Sequence, residues 1–133
     1  MKAAILLGLA LAAPARAEVA ECPRFYPAQQ LAIDGAQRPA SSGGFVARAA
    51  LSGAGMFTGE IGGQGELIGE RREVKGGMDA KFGFADGDQR WLVCTYGVGG
   101  EITWWKQMDA RSTSCALQVR SPAGKVDARA TCK

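Results

Sequence analysis

The stretch TSCALQVRSPAGKVDARATCK, residues 113–133, decides the fold because apolar side chains recur at alternate positions on both sides of a turn. This alternation is typical of β-strands with one buried face. A turn at Ala123-Gly124, or a four-residue loop at 122–125, places both apolar sets on the same face. In that register the facing residues are Cys115 with Cys132, Leu117 with Ala130, and Val119 with Ala128.

The turn also allows a second register. Pro122-Ala123-Gly124 suits a three-residue loop with a glycine bulge, which shifts the pairing by one residue. Because that shift would expose a whole apolar row, we predict the register that pairs Cys115 with Cys132. Directly opposed residues have Cα separations within disulfide range, so a bridge is expected there.

The four cysteines predict two disulfides, since an even number of cysteines in a small chain is typical of exported proteins, in which they are usually oxidised. Once Cys115–Cys132 is assigned, Cys22–Cys94 follows by elimination. The rival pairings, 22–115 with 94–132 and 22–132 with 94–115, stay open at this point. The chain has no histidine and no closely spaced cysteine pair, so neither a metal site nor a cofactor is predicted.

Upstream, the stretch 78–105 predicts a further meander with turns at Asp86-Gly87 and Gly99-Gly100. With two-residue loops, Phe82 lies opposite Trp91, and Trp104 lies opposite Thr95. The predicted core face then contains Ala80, Phe82, Trp91, Val93, Ile102 and Trp104. Trp105 falls on the other face together with Leu92, Cys94 and Tyr96, and that face is also apolar.

Two aromatic residues of this second face are candidates for a binding surface. If they are incompletely covered, Tyr96 and Trp105 can contact a peptide, a glycan or another protein. The alternative is that they bury the Cys94 side of the sheet, and this structural interpretation is favoured.

The N-terminal part of the chain is predicted to contain a secretory signal peptide at 1–17 and an irregular segment at 22–44. A positive start, an apolar run and the Ala15-Arg16-Ala17 pattern indicate the signal. No small residue precedes Cys22, so no lipid anchor is expected. An edge strand is expected at 30–34 and another strand at 45–51, whereas the glycine-rich stretch 53–69 is expected to form bulges and turns.

Removal of 17 of the 133 residues leaves 116, which is enough for one disulfide-stabilised domain at 18–133. It also leaves 14 of the 16 basic residues against 13 acidic ones. This balance predicts no nucleic-acid binding, and the short apolar run at the start predicts no stable membrane insertion. The mixed charges of 70–75 indicate a solvated strand or loop.

The chain has no histidine, and all four cysteines are expected to form disulfides. Catalysis by histidine or by a free cysteine is therefore not expected, and no catalytic residue is predicted. Paired carboxylates near turns leave a glycan hydrolase as a less favoured alternative.

The Cys22-Pro23 start, the segment 91–97 (WLVCTYG) and the late Cys115 and Cys132 resemble the small exported bacterial proteins of the STY-zero-three-zero-one family. That resemblance implies a periplasmic setting and carries no catalytic residues. Trp104-Trp105-Lys106 is more faintly similar to the tryptophan-lysine motif of periplasmic lysozyme inhibitors, whose other motifs are missing here.

Taken together, these patterns predict an all-β fold, a small antiparallel sandwich built from hairpins. The expected function is that of a non-enzymatic binding protein in the periplasm or outside the cell, with an unknown protein or glycan partner in the envelope. The alternative is an inhibitor of a cell-wall-degrading enzyme.

Overall fold

A computed structural model describes residues 16–27 and 48–133, and the regular structure of these residues consists of β-strands and one 3-10 turn at Pro122–Gly124. The strands are β1 (Glu18–Glu21), β2 (Leu51–Thr58), β3 (Glu70–Val74), β4 (Gly77–Gly83), β5 (Arg90–Tyr96), β6 (Ile102–Gln107), β7 (Ser114–Arg120) and β8 (Asp127–Cys132). No helix in the described part is long and apolar enough to cross a membrane. The predicted all-β class is confirmed.

The strands form two antiparallel sheets that enclose one core. One sheet has five strands in the order β1-β8-β7-β4-β3, and the other has three in the order β2-β5-β6. The core between them takes apolar residues from both sheets, including Leu117 and Ala130 from one and Met56, Leu92 and Tyr96 from the other. This is the sandwich arrangement that alternating strands favour.

The β7–β8 pair has the register predicted from residues 113–133. Cys115 lies opposite Cys132, and Leu117 lies opposite Ala130. The turn is closed by a hydrogen bond from the Lys125 N–H to the Pro122 carbonyl, so Ala123 and Gly124 are its two central residues. Both have positive φ, as a tight hairpin turn requires.

Both disulfides join the cysteines that were paired by prediction. The Cα atoms are 5.8 Å apart in Cys22–Cys94 and 4.1 Å apart in Cys115–Cys132. The first bridge runs from the residue after β1 to the middle of β5 and therefore ties the two sheets together. The second links the neighbouring strands β7 and β8.

The predicted pairing of Phe82 with Trp91 is wrong. A turn forms at Asp86-Gly87, with a hydrogen bond from the Asp88 N–H to the Ala85 carbonyl. However, β4 pairs with β3 and β7, whereas β5 pairs with β2 and β6. The turn thus leads from one sheet to the other instead of closing a hairpin.

The β5–β6 hairpin differs from the prediction by one residue. Cys94 lies opposite Trp104, where Thr95 was the predicted partner. The turn hydrogen bond joins Gly100 to Gly97, and the Glu101 carboxylate accepts the Gly99 N–H, so the loop is longer than expected. Trp104 consequently shares a face with Cys94, and Trp105 shares the other face with Val93.

Strand β2 runs through glycines that were expected to form turns. The pairing with β5 is continuous from Gly53 to Thr58, and the irregularity lies at Ser52. Of the predicted strand at 45–51, only 48–51 are described, and β2 begins at Leu51. The residues 1–15 of the predicted signal peptide, the edge strand expected at 30–34 and most of the irregular segment 22–44 lie outside the described residues.

Candidate binding surface

The outer face of the three-stranded sheet is lined by aromatic side chains. Directly opposed residues share a face, so the register defines this surface strand by strand. It consists of Gly53, Gly55 and Phe57 from β2, Trp91, Val93 and Thr95 from β5, and Thr103, Trp105 and Gln107 from β6. We call this set the aromatic face.

Three rings form a cluster at its centre. The Trp105 ring centroid lies 5.1 Å from that of Phe57 and 6.0 Å from that of Trp91, and both contacts are edge-to-face. Val93, in the same row as Trp105, is only 1% exposed, although it points away from the main core. The rings themselves are partly buried, so they cover Val93 and still present aromatic surface to solvent.

The indole N–H groups hold the two tryptophans in place. Trp91 Nε1 donates to the Gly59 carbonyl at 2.9 Å, and Trp105 Nε1 donates to Thr103 Oγ1 at 3.0 Å. Because both indole N–H groups already have acceptors within the chain, a partner can cover these rings without burying an unpaired donor.

Gly55 makes room for the cluster. A β-carbon added to Gly55 would lie 3.3 Å from the Phe57 ring and 3.5 Å from Glu66 Oε1. The Phe57 ring therefore lies over the β2 backbone at Gly55. Glu66 forms a β-bridge with Phe57 and brings its carboxylate to the border of the aromatic face.

The structure separates the two predicted binding residues. Trp105 belongs to the aromatic face, but Tyr96 does not, because it is fully buried in the core. The Tyr96 hydroxyl donates to the Pro23 carbonyl at 2.9 Å, and its ring packs edge-to-face on Tyr26. Tyr96 thus buries the Cys94 side of the sheet, which was the favoured interpretation, whereas Trp105 lies on the opposite side, in the row of Val93.

The outer face of the five-stranded sheet has the opposite chemistry. Its side chains form ion pairs: Arg120 with Asp79 at 2.6 Å, Arg72 with Asp79 at 3.5 Å, and Arg129 with Glu21 at 3.8 Å. The Arg120 hydrogen bond holds the pKa of Asp79 below its usual value. Each of these charges already has a partner within the chain.

Two described carboxyl groups, those of Asp79 and Asp109, have a lowered pKa, which is the opposite of the shift that the general acid of glycan hydrolysis needs. Such an acid requires a raised carboxyl pKa. The Asp109 carboxylate instead accepts hydrogen bonds from Arg111, including one of 2.7 Å, and these lower its pKa to about 2. Residues 16–27 and 48–133 also contain no group of three or more acidic or cysteine side chains placed to hold a metal.

Sequence reasoning missed Phe57 and Glu66 as neighbours of Trp105. Both lie at 53–69, where the many glycines predict turns. A strand could have been identified there from an alternation: Ala54, Met56 and Thr58 alternate with Gly53, Gly55 and Phe57. The glycines occupy outward positions of a strand.

Comparison with known proteins gives a family for this fold. No curated protein matches the chain, and no solved structure matches it. The resemblance to the STY-zero-three-zero-one family is not confirmed. A family model described as "Type VI secretion system Tli immunity protein" matches residues 46–133, which include all the strands of the sandwich except β1. The chain therefore belongs to the type VI secretion system Tli immunity protein family.

Proposed function

We propose that this chain is an immunity protein that neutralises a type VI secretion toxin by binding it. The observation that carries the proposal is the family match, which spans 46–133 and thus every strand of the aromatic face. An immunity protein acts by occupying its toxin, so it needs a stable scaffold and a surface, not a catalytic centre. Of the functions expected from the sequence, the alternative, an inhibitor of a cell-wall-degrading enzyme, comes nearest to this role.

The architecture of the described residues supports a role in binding. A rigid sandwich with two disulfides is suited to presenting a fixed surface, because less conformational entropy is lost when a partner docks.

The partner in this proposal is a protein and not a glycan. Sugars stack on flat aromatic platforms, whereas the rings of Trp91 and Trp105 stand at 72° to each other and those of Phe57 and Trp105 at 65°. Edge-to-face rings form an uneven surface, and such surfaces are matched by the side chains of a protein.

The proposed compartment is the periplasm. Two disulfides are stable in an oxidising environment and are rare in the cytosol. Together with the signal peptide expected at 1–17, they support encounter with the toxin after both proteins have left the cytoplasm.

The test is protection of a susceptible bacterium. Each type VI effector of the source strain is expressed with a periplasmic export signal, alone or with this chain, and growth is followed. We expect one effector to be toxic alone and harmless with the full chain, and we expect the purified pair to form a stable complex.

A shortened chain that begins at residue 18 provides the control for the compartment. It should give no protection in the same cells, because it lacks the expected signal and stays apart from the toxin. If no effector is neutralised by the full chain at equal or higher expression, the proposed function is wrong. Protection by the shortened chain would contradict the periplasmic part of the proposal alone.

A further inference from the structure

We propose that the aromatic face is the toxin-docking surface, and that the toxin segment covering it has an apolar centre flanked by lysine or arginine. This inference rests on the proposed function. It adds which side of the sandwich binds and what chemistry the partner presents there.

The first argument is the Phe57–Trp91–Trp105 cluster itself. Tryptophan is among the residues that contribute most to protein interfaces, especially at the centre of a contact. Here the rings are fixed by mutual packing at 5.1 Å and 6.0 Å and by the indole hydrogen bonds, so little side-chain freedom is left to lose on binding. The apolar centre of the interface is thus already organised before the toxin arrives.

The second argument is the distribution of charge. None of the nine residues that form the aromatic face is lysine or arginine. The Glu66 carboxylate lies at the β2 border of the face, and exposed Glu60 follows Gly59, the residue whose carbonyl accepts the Trp91 indole bond. A partner with basic residues around its apolar centre is complementary to this border.

The third argument is the contrast with the other side of the sandwich. Asp79, Glu21 and Asp127 are each paired with arginine across the five-stranded sheet or at its border. A toxin that used that side would have to break these ion pairs or accommodate them, and solvent-exposed pairs of this kind contribute little to binding. Of the two outer faces, the aromatic one is therefore favoured as the docking surface.

The experiment uses the effector that the wild-type chain neutralises, purified, and measures its affinity and association rate for three variants. Trp105→Ala removes the central ring and is expected to weaken binding by about 30-fold or more, as for a central tryptophan. Glu66→Lys reverses the charge of an exposed residue without removing core packing. It is expected to slow association several-fold at low salt, with a smaller effect at high salt.

Arg129→Ala is the matched control on the opposite face. Arg129 is an exposed member of the ion pair with Glu21, and its removal is expected to change affinity by less than about twofold if the aromatic face binds. Near-ultraviolet circular dichroism and thermal unfolding of each variant show whether it is folded. If Trp105→Ala fails to fold, Glu66→Lys decides.

Three results would overturn the inference. In the first, folded Trp105→Ala and Glu66→Lys variants still bind and protect as the wild type does. The aromatic face is then not the docking surface, while the proposed function stands. In the second, Arg129→Ala abolishes binding. In the third, the wild type is a dimer that Trp105→Ala dissociates, so the face joins two copies of this chain. If the full chain neutralises no effector in the protection test, both the proposed function and the proposed docking surface are wrong.

Discussion

Trp104 lies directly across from Cys94 in the β5–β6 pair. Because Cys94 faces the core and is bonded to Cys22, Trp104 packs against the same core. The next residue, Trp105, must then point to the opposite side of the sheet, where it meets Phe57 and Trp91. One β-strand pairing thus assigns adjacent tryptophans to two different roles.

This assignment predicts unequal effects on stability. Trp104→Ala should lower the free energy of unfolding by about 3 kcal/mol, because it leaves a void beside the Cys22–Cys94 bridge. Trp105→Ala should cost about half as much, since the ring that it removes is packed on a partly exposed surface. Urea unfolding followed by far-ultraviolet circular dichroism measures both. Equal losses would mean that the outer cluster is as much a core as the inner one.

The two disulfides should contribute unequally as well. Cys115–Cys132 closes a loop of sequence separation 17, and Cys22–Cys94 one of 72. In the chain-entropy description the first bridge stabilises the fold by ~3 kcal/mol and the second by ~4 kcal/mol. Guanidinium unfolding of the Cys115→Ser/Cys132→Ser and Cys22→Ser/Cys94→Ser double variants tests the order. A smaller loss for the second pair would show that the N-terminal segment is held by its other contacts.

A buried arginine should be essential for the end of the three-stranded sheet. Arg90 is 2% exposed and donates to the carbonyls of Ser112, Asp88 and Ala85, while its guanidinium lies 5.0 Å from the Phe84 ring centroid. Arg90→Met leaves these carbonyls without their donor, and we expect a loss of about 2–4 kcal/mol. Arg90→Lys should recover only part of this, because an ammonium group cannot reach all the acceptors at once. Thermal unfolding compares the two.

The C-terminal hairpin was predictable because its two faces differ. Only one register of the strands around Ala123-Gly124 buries both apolar rows, and that register also brings Cys115 to Cys132. The β5–β6 register had no such constraint. Leu92, Val93 and Cys94 are all buried, so a shift of one residue costs nothing in the apolar pattern.

The turn at Asp86-Gly87 shows a different limit. Gly87 has a positive φ, which glycine adopts without strain. Turn chemistry does not determine, however, which strand will pair with the one that follows. Besides β6, strand β5 pairs with β2, which precedes it by more than thirty residues, and that pairing depends on long-range packing. The aromatic face depends on the same pairing, so only its Trp105 was identified from local sequence.

The turn residue Ala123 offers a stabilising substitution. It has φ of 52°, the only positive value among the described residues other than glycine, and L-residues adopt this conformation at a cost of about 1–2 kcal/mol. Ala123→Gly relieves that strain, and the greater freedom of glycine in the unfolded chain offsets part of the gain. The expected net effect is a rise of up to ~1 kcal/mol in unfolding free energy. Unchanged or lower stability would mean that the alanine is unstrained at this position.

Tyr96 should make stability depend on pH in the alkaline range. Burial, followed by a smaller effect of Tyr26, raises its pKa from 10.0 to about 12. Between these two values the folded protein keeps a proton that the unfolded chain has lost. The unfolded state therefore binds fewer protons, and stability falls as pH rises, by at most ~1.4 kcal/mol per pH unit. Below pH 10 this contribution is fully present.

The Tyr96→Phe variant isolates the effect from other groups that titrate at high pH. It should be less stable than the wild type by about 1–2 kcal/mol near neutrality, because the Pro23 carbonyl loses its hydrogen bond. The difference should shrink above pH 10, since only the wild type has a buried phenol to ionise. Urea unfolding of both proteins at pH 7, 10 and 11 measures this difference. A gap that stays constant across these pH values would show that the Tyr96 hydroxyl titrates normally and is therefore open to water.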